Sequence, residues 1–443
     1  MRVLMLGWEF PPFISGGLGT ACYGLTKAMS QIGTEVIFVL PRPVASQYSG
    51  HVRLVSPSTL SAALGSYSYE MDEFARVTFR ALDAGVGFSP YDAPRTLSQA
   101  IEDKIRAARA AARAQAGPAV EAVMQHAAAP AAHYGSDLFS EIERYARMAA
   151  LIATEEDFDV VHAHDWMTFR AGIAISAMSG KPLVVQVHST EFDRSGEHVD
   201  QRIYDIEREG MHFARRIIAV SHLTKNIITA RYGVPPEKVE VVYNAIEFNG
   251  NDPSGILPPI GRNDKIVLFL GRITMQKGPE YFLAAAKKVL EVMHNVRFIM
   301  AGWGDMIRRT IELANHMGIG HKVLFTGFLR GPDVDRVFRM ADLYVMPSVS
   351  EPFGIAPLEA MSNDVPVLIS KQSGVSEVLS HALKVDFWDV NEMANKIIAV
   401  LRHPPLQKTL REHGRIEVRK LSWQDSARRC VEVYQQAGAA NGQ

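Results

Sequence analysis

The chain has 443 residues, more than one average domain, with 47% hydrophobic and 21% charged residues and a formal net charge of −1. That balance is globular and gives no global electrostatic argument for nucleic acid or a membrane surface as partner. The two cysteines, Cys22 and Cys430, lie at opposite ends, which excludes a disulfide framework and a cysteine metal site.

The first apolar run, Val3 to Leu6, is too short for a signal-peptide core. No run approaches the roughly 20 apolar residues of a spanning helix. The expected location is the cytoplasm, without integral membrane contact.

Residues 2–7 read as a buried strand, followed by a glycine-rich loop with Gly16, Gly17 and Gly19, a helix over 21–32 and a strand over 36–40. This order opens a doubly wound domain. The glycines miss the dinucleotide fingerprint, because Cys22 stands where the third would fall. They read as a tight turn or as a backbone cradle for phosphate or sugar. Residues 44–140 are less orderly. A strand could occupy 75–82 and a helix 98–125, and the region as a whole reads as a solvated helical insertion.

After a helix over 139–153, strands recur at 159–164, 183–188, 217–221 and 239–242. They end in His164 with Asp165, His188, Ser221 and Asn244. In a parallel sheet such ends share one edge, where ligands bind. His162, two residues before His164, reads as packed. If the strand has ended by His164, the two need not share a face.

Turn formers crowd 248–261, so 249–262 is taken as a linker between a domain over 1–248 and another over 263–420. The helix expected in 421–443 should pack back on the first domain. The second domain alternates again, beginning with a strand over 266–270. Its strand over 342–347 leads into Ser350-Glu351-Pro352-Phe353-Gly354-Ile355, with Glu359 in the helix that follows.

Two sets of residues carry chemistry there. Arg272 and Lys277 stand in a glycine-bounded loop after a strand. Cations at the mouth of a parallel sheet suit a diphosphate and neutralise charge growing on a leaving phosphate, although a solvated surface pair has the same spelling. Glu351 and Glu359 could form a glycosidase-type pair, or favour a helix start electrostatically. The preferred reading gives one to a sugar and the other to ribose hydroxyls, since a carboxylate accepts from a vicinal diol at both oxygens. No spacing of His, Asp and Glu makes a metal cage, and no P-loop or nucleophile elbow is present.

Five stretches together resemble the retaining GT-B glycosyltransferases of family 4 and the neighbouring glycogen and starch synthases. They are Gly16-Gly17-Leu18, His162-Ala163-His164-Asp165-Trp166, Asn244-Ala245-Ile246, Gly271-Arg272 with Lys277-Gly278, and Glu351-Pro352-Phe353-Gly354 through Glu359. The resemblance spans nearly the whole chain except about 44–140.

The resemblance implies two Rossmann-like domains facing each other across a cleft, and a hexose, glucose foremost, moved from an ADP- or UDP-sugar to a glycan such as an α-1,4-glucan. It assigns catalytic roles to His164, Glu351, Arg272 and Lys277. Donor contacts would come from Gly16, Gly17, Asn244, Phe353, Gly354, Ile355 and Glu359. Glu9, Asp165 and His188 would lie on the acceptor side. No metal and no cofactor are implied. Transfer to a small or lipid-linked acceptor, or a sucrose-synthase-like activity, is the runner-up, and an epimerase is a more distant alternative. One departure stands out: Ile14 occupies the position where common bacterial glycogen synthases carry lysine.

Overall fold

The computed structural model describes residues 1–10, 17–41, 52–55, 66–71, 77–82, 136–247 and 264–439. They build two α/β units. The first sheet contains β1 (Arg2–Leu6), β2 (Glu35–Leu40), β3 (Val52–Val55), β4 (Ser66–Met71), β5 (Val77–Leu82), β6 (Val160–His164), β7 (Leu183–Val187), β8 (Arg216–Ala219) and β9 (Val239–Val241). Their spatial order is β3-β4-β5-β2-β1-β6-β7-β8-β9. From β5 to β9 neighbours are parallel, while β4 is antiparallel to both β5 and β3.

The second sheet is parallel throughout. It contains β10 (Lys265–Leu270), β11 (Val296–Ala301), β12 (Val323–Gly327), β13 (Leu343–Met346), β14 (Val367–Ser370) and β15 (Leu383–Val385), in the order β12-β11-β10-β13-β14-β15. Strand order reverses between β1 and β6 and between β10 and β13. These are the switch points at which open α/β sheets take ligands. The central strands are apolar on both faces because helices cover both; Val3 to Leu6 and Val184 and Val185 are fully buried.

One expectation needs correction, while the strand expected over 75–82 is present as β5. Within 44–140 the described residues are not helical until 136: 52–55, 66–71 and 77–82 are strands that widen the first sheet. Their Val, Tyr and Thr content suits a pleated surface. The helix expected over 98–125 and the linker at 249–262 lie outside the described residues. Strand β15 was not expected at all; Leu-Lys-Val is only three residues long and two of them are half-exposed, so it shows no alternation.

The C-terminal helix Trp423–Ala439 belongs to the first unit's core. Trp423, Ala427, Cys430, Tyr434 and Ala437 recur every three or four residues and are all buried there. Gly24, in helix Gly17–Gln31, makes room for the Trp423 indole; a Cβ at Gly24 would come within 2.3 Å of it. The Tyr434 hydroxyl meets His162 Nδ1 at 2.7 Å.

Contacts also join the units beside the cleft. The Glu377 carboxylate accepts from the backbone N–H of His222 and Leu223 at 2.9 and 2.8 Å, at the start of helix His222–Tyr232. A negative charge there complements the helix dipole. Gly374 lies so close to the first unit that a Cβ would meet Ser221 Cβ at 2.5 Å.

Candidate active site

The C-terminal edges of the two sheets face each other across a cleft of about 490 Å³. The second unit supplies most of its wall. Lys277 ends a short turn, Met275–Lys277, after β10, and Glu351 follows β13, the strand paired with β10. The Lys277 ammonium donates to the Glu351 carboxylate, which also accepts from Ser348 Oγ at 3.2 Å. Gly278 sets this geometry: its φ is +66°, and a Cβ would fall 2.2 Å from the Pro347 carbonyl oxygen. Only glycine lets the lysine loop press onto the end of β13.

Arg272, Phe353, Gly354 and Ile355 line the same wall. Glu359 lies in the first turn of helix Ala356–Ser362. Burial, with a smaller contribution from the charge of Asp335, lifts its carboxyl to about 7.

The first unit contributes Gly17, Asp165, His188 and Asn244. Asp165 has φ 58° and ψ 168°, a region that costs a non-glycine residue roughly 1–3 kcal/mol. The turn points its carboxylate at the loop after β7, where Oδ1 accepts from His188 N–H at 2.7 Å. Among the described residues Oδ2 is buried without a hydrogen-bond partner. Burial pushes this carboxyl up to about 7, against the opposing pull of the His188 N–H and Arg194. Burial holds the His188 ring down to about 3, so it is neutral at pH 7.

His164 does not line the cleft. Its ring is fully buried and lies behind His188, with His164 Nδ1 and His188 Nε2 3.0 Å apart. Strand β6 runs through His164, so period two puts His162 and His164 on one face, their ring centroids 4.2 Å apart. Glu9 is buried near Cys22, whose thiol feels its charge, and it is not part of the cleft lining. Ser221 caps helix His222–Tyr232 by accepting from Thr224 N–H at 3.0 Å. Gly16 and Ile14 lie outside the described residues.

The sequence reading assigned no role to Trp303 and Arg330, which follow β11 and β12 and line the cleft as Arg272 does after β10. Their position after strand ends was the available signal. It also missed Asp193, which accepts from Ser350 Oγ at 2.5 Å across the units. The Thr190-x-x-Asp193 capping box is its local mark. Among the described residues no cluster of three or more His, Cys, Asp or Glu is placed to hold a metal ion, and no helix is long and apolar enough to cross a membrane.

Residues 105–249 match the family described as Glycosyltransferase Family 4, and residues 258–417 match Glycosyl transferases group 1. The chain belongs to the GT-B glycosyltransferases. An uncharacterized glycosyltransferase of Methanocaldococcus jannaschii is 28% identical to this glycosyltransferase over 98% of each chain. The glycogen synthase of Mycobacterium tuberculosis is 25% identical over 98% of this chain and 94% of its own. Among solved structures, sucrose-phosphate synthase from Thermosynechococcus elongatus shares the fold, with a TM-score of 0.71 over 99% of both chains at 17% identity.

Proposed function

We propose that this glycosyltransferase moves a glucosyl group from a nucleoside diphosphate sugar to a glycan, an α-glucan, with retention at the anomeric carbon. One observation carries the reading: Arg272, Lys277, Glu351 and Glu359 share one wall of a single cleft between the two switch points. The glycogen synthase relative, similar over nearly its whole length, supports glucose and a glucan.

Arg272 and Lys277 hold the diphosphate and take up charge as it leaves. Glu359 accepts from the ribose hydroxyls. Glu351 and the backbone of Phe353, Gly354 and Ile355 meet the sugar. From the other wall Gly17 approaches the diphosphate, while Asn244, His188 and Asp165 approach the sugar. His164 acts through His188, fixing its ring. The acceptor hydroxyl attacks from the face the phosphate is leaving. The anomeric carbon–phosphate oxygen bond breaks, the new glycosidic bond forms, and a phosphate oxygen takes the acceptor's proton. Closing the walls keeps out water, which would otherwise hydrolyse the donor.

A panel of ADP-, UDP- and GDP-sugars, each with and without glycogen or maltooligosaccharides, tests this. Nucleotide release that depends on glucan, with chain growth and an α-linked product, is the expected result. Release independent of acceptor, or isomerised donor, overturns transfer. Growth of a small or lipid-linked acceptor in place of glucan overturns the acceptor assignment. Because Ile14 replaces the usual lysine, the donor base is read from the panel rather than assumed.

A further inference from the structure

An exposed aromatic group stands outside the cleft at the free edge of the second sheet. Trp388 is 58% exposed. Its ring is braced rather than loose. Phe387 packs edge-on against it, with centroids 4.8 Å apart at 83°, and Tyr281 meets Phe387 at 5.0 Å and 72°. The backbone is fixed as well: the Trp388 carbonyl accepts from Val390 N–H at 3.0 Å, and Asp389 caps helix Val390–Arg402.

Hydrogen bonds connect this group to the cleft wall. Tyr281 lies one helical turn beyond Lys277, in helix Pro279–Val292. Asp386, next to Phe387, accepts from Gln372 Nε2 at 3.1 Å and from Lys371 Nζ at 2.8 Å. The Gln372 carbonyl in turn accepts from Glu351 N–H at 2.9 Å. One backbone bond, one side-chain bond and two peptide units therefore separate Glu351 from Trp388. Direction matters too. Trp303 and Arg330 stand over β11 and β12, on the other side of β10 and β13. β14 and β15 lie on the opposite side of β10 and β13, and Trp388 follows β15.

The chemistry selects a sugar. A pyranose has a face of C–H bonds and a rim of hydroxyls. The C–H face suits the electron-rich face of an indole. Asp386, two residues before Trp388, and its partners Lys371 and Gln372 offer donors and acceptors. A stable protein partner would bury about 800 Å² per side, far more than one ring offers. We propose that Trp388, braced by Phe387 and Tyr281, is a sugar-stacking subsite that holds the glycan acceptor several sugar units away from the point of transfer. The proposal rests on the glycan-acceptor reading above.

The test compares wild type, Trp388→Ala, Trp388→Phe and, as a control, Phe213→Ala, whose exposed ring lies on the first unit. Two readouts are used: retardation in native gels containing glycogen, and KM for glycogen, maltoheptaose and maltotriose. Trp388→Ala should lose retardation and show a KM about threefold to tenfold higher for the two longer acceptors. Its kcat, donor KM, maltotriose KM and melting temperature should stay at wild-type values. Trp388→Phe should restore part of the effect, and Phe213→Ala should show none. If wild type extends glucans and Trp388→Ala matches it on every acceptor and gel, the subsite is refuted and the transfer reading stands. If wild type neither binds nor extends any glucan, the acceptor reading falls and takes the subsite with it.

Discussion

Glu359→Gln tests the ribose assignment through a pH dependence that the site itself dictates. Burial and the neighbouring Asp335 raise the Glu359 carboxyl from 4.5 to about 7. A group with that pKa is roughly one-tenth ionised at pH 6 and nine-tenths ionised at pH 8. Only the carboxylate accepts from both ribose hydroxyls, so donor capture strengthens as pH rises through 7. Between pH 6 and 8 kcat/KM for the donor should rise by up to about tenfold. The amide of Glu359→Gln loses the charge-assisted part of these bonds, about 1–2 kcal/mol, so at pH 8 it should be roughly 5- to 30-fold weaker. Its profile should be flatter than that of wild type, and the two enzymes should converge near pH 6. Initial rates at subsaturating donor and saturating acceptor, from pH 5.5 to 8.5 at constant ionic strength, measure this. The donor's diphosphate is ionised across that range and adds no titration. Asp165 also titrates at about 7 in the same cleft, so the variant decides the question. A rise as large in Glu359→Gln as in wild type, or a flat wild-type curve, refutes the assignment.

Two further outcomes are expected. Lys277→Ala and Glu351→Ala should each lower kcat by about 10²–10³-fold, because each removes half of a partly buried pair proposed to face the reacting sugar; near-normal turnover in both would dismantle the site. Gly24→Val should cost about 1–3 kcal/mol by driving a side chain into Trp423, and an unchanged melting temperature would contradict the docking of the C-terminal helix.

The buried parallel strands were legible because helices on both faces demand unbroken apolar runs, as in Val3 to Leu6 and Leu343 to Met346. The placement of Arg272, Lys277 and Glu351 in the cleft was legible for a related reason: polar residues in the loop after such a run lie at the edge where open α/β sheets take ligands. That rule finds the edge but not the side of the sheet a ring takes. His164 is the last residue of β6 and turns under His188, while the strained backbone of Asp165 brings the next side chain to the cleft. Strands β3 and β4 are short and antiparallel, so neither an apolar run nor a crossover marks them. The Asp193–Ser350 bond joins residues 157 positions apart, and nothing local in either segment points to the other.

The docking of Trp423–Ala439 changes how the two halves can move. The backbone passes between them twice, before Lys265 and again after Val418, whose side chain is still in the second unit's core. A single crossing acts like a tether, leaving twist, tilt and swing all available. A second crossing restrains twist and tilt and leaves swing as the freer motion. Such a swing changes the gap between the walls without sliding Gly17 past Arg272 or Asn244 past Glu351. Admitting substrates and expelling water are then compatible with the side chains of the two walls keeping their register.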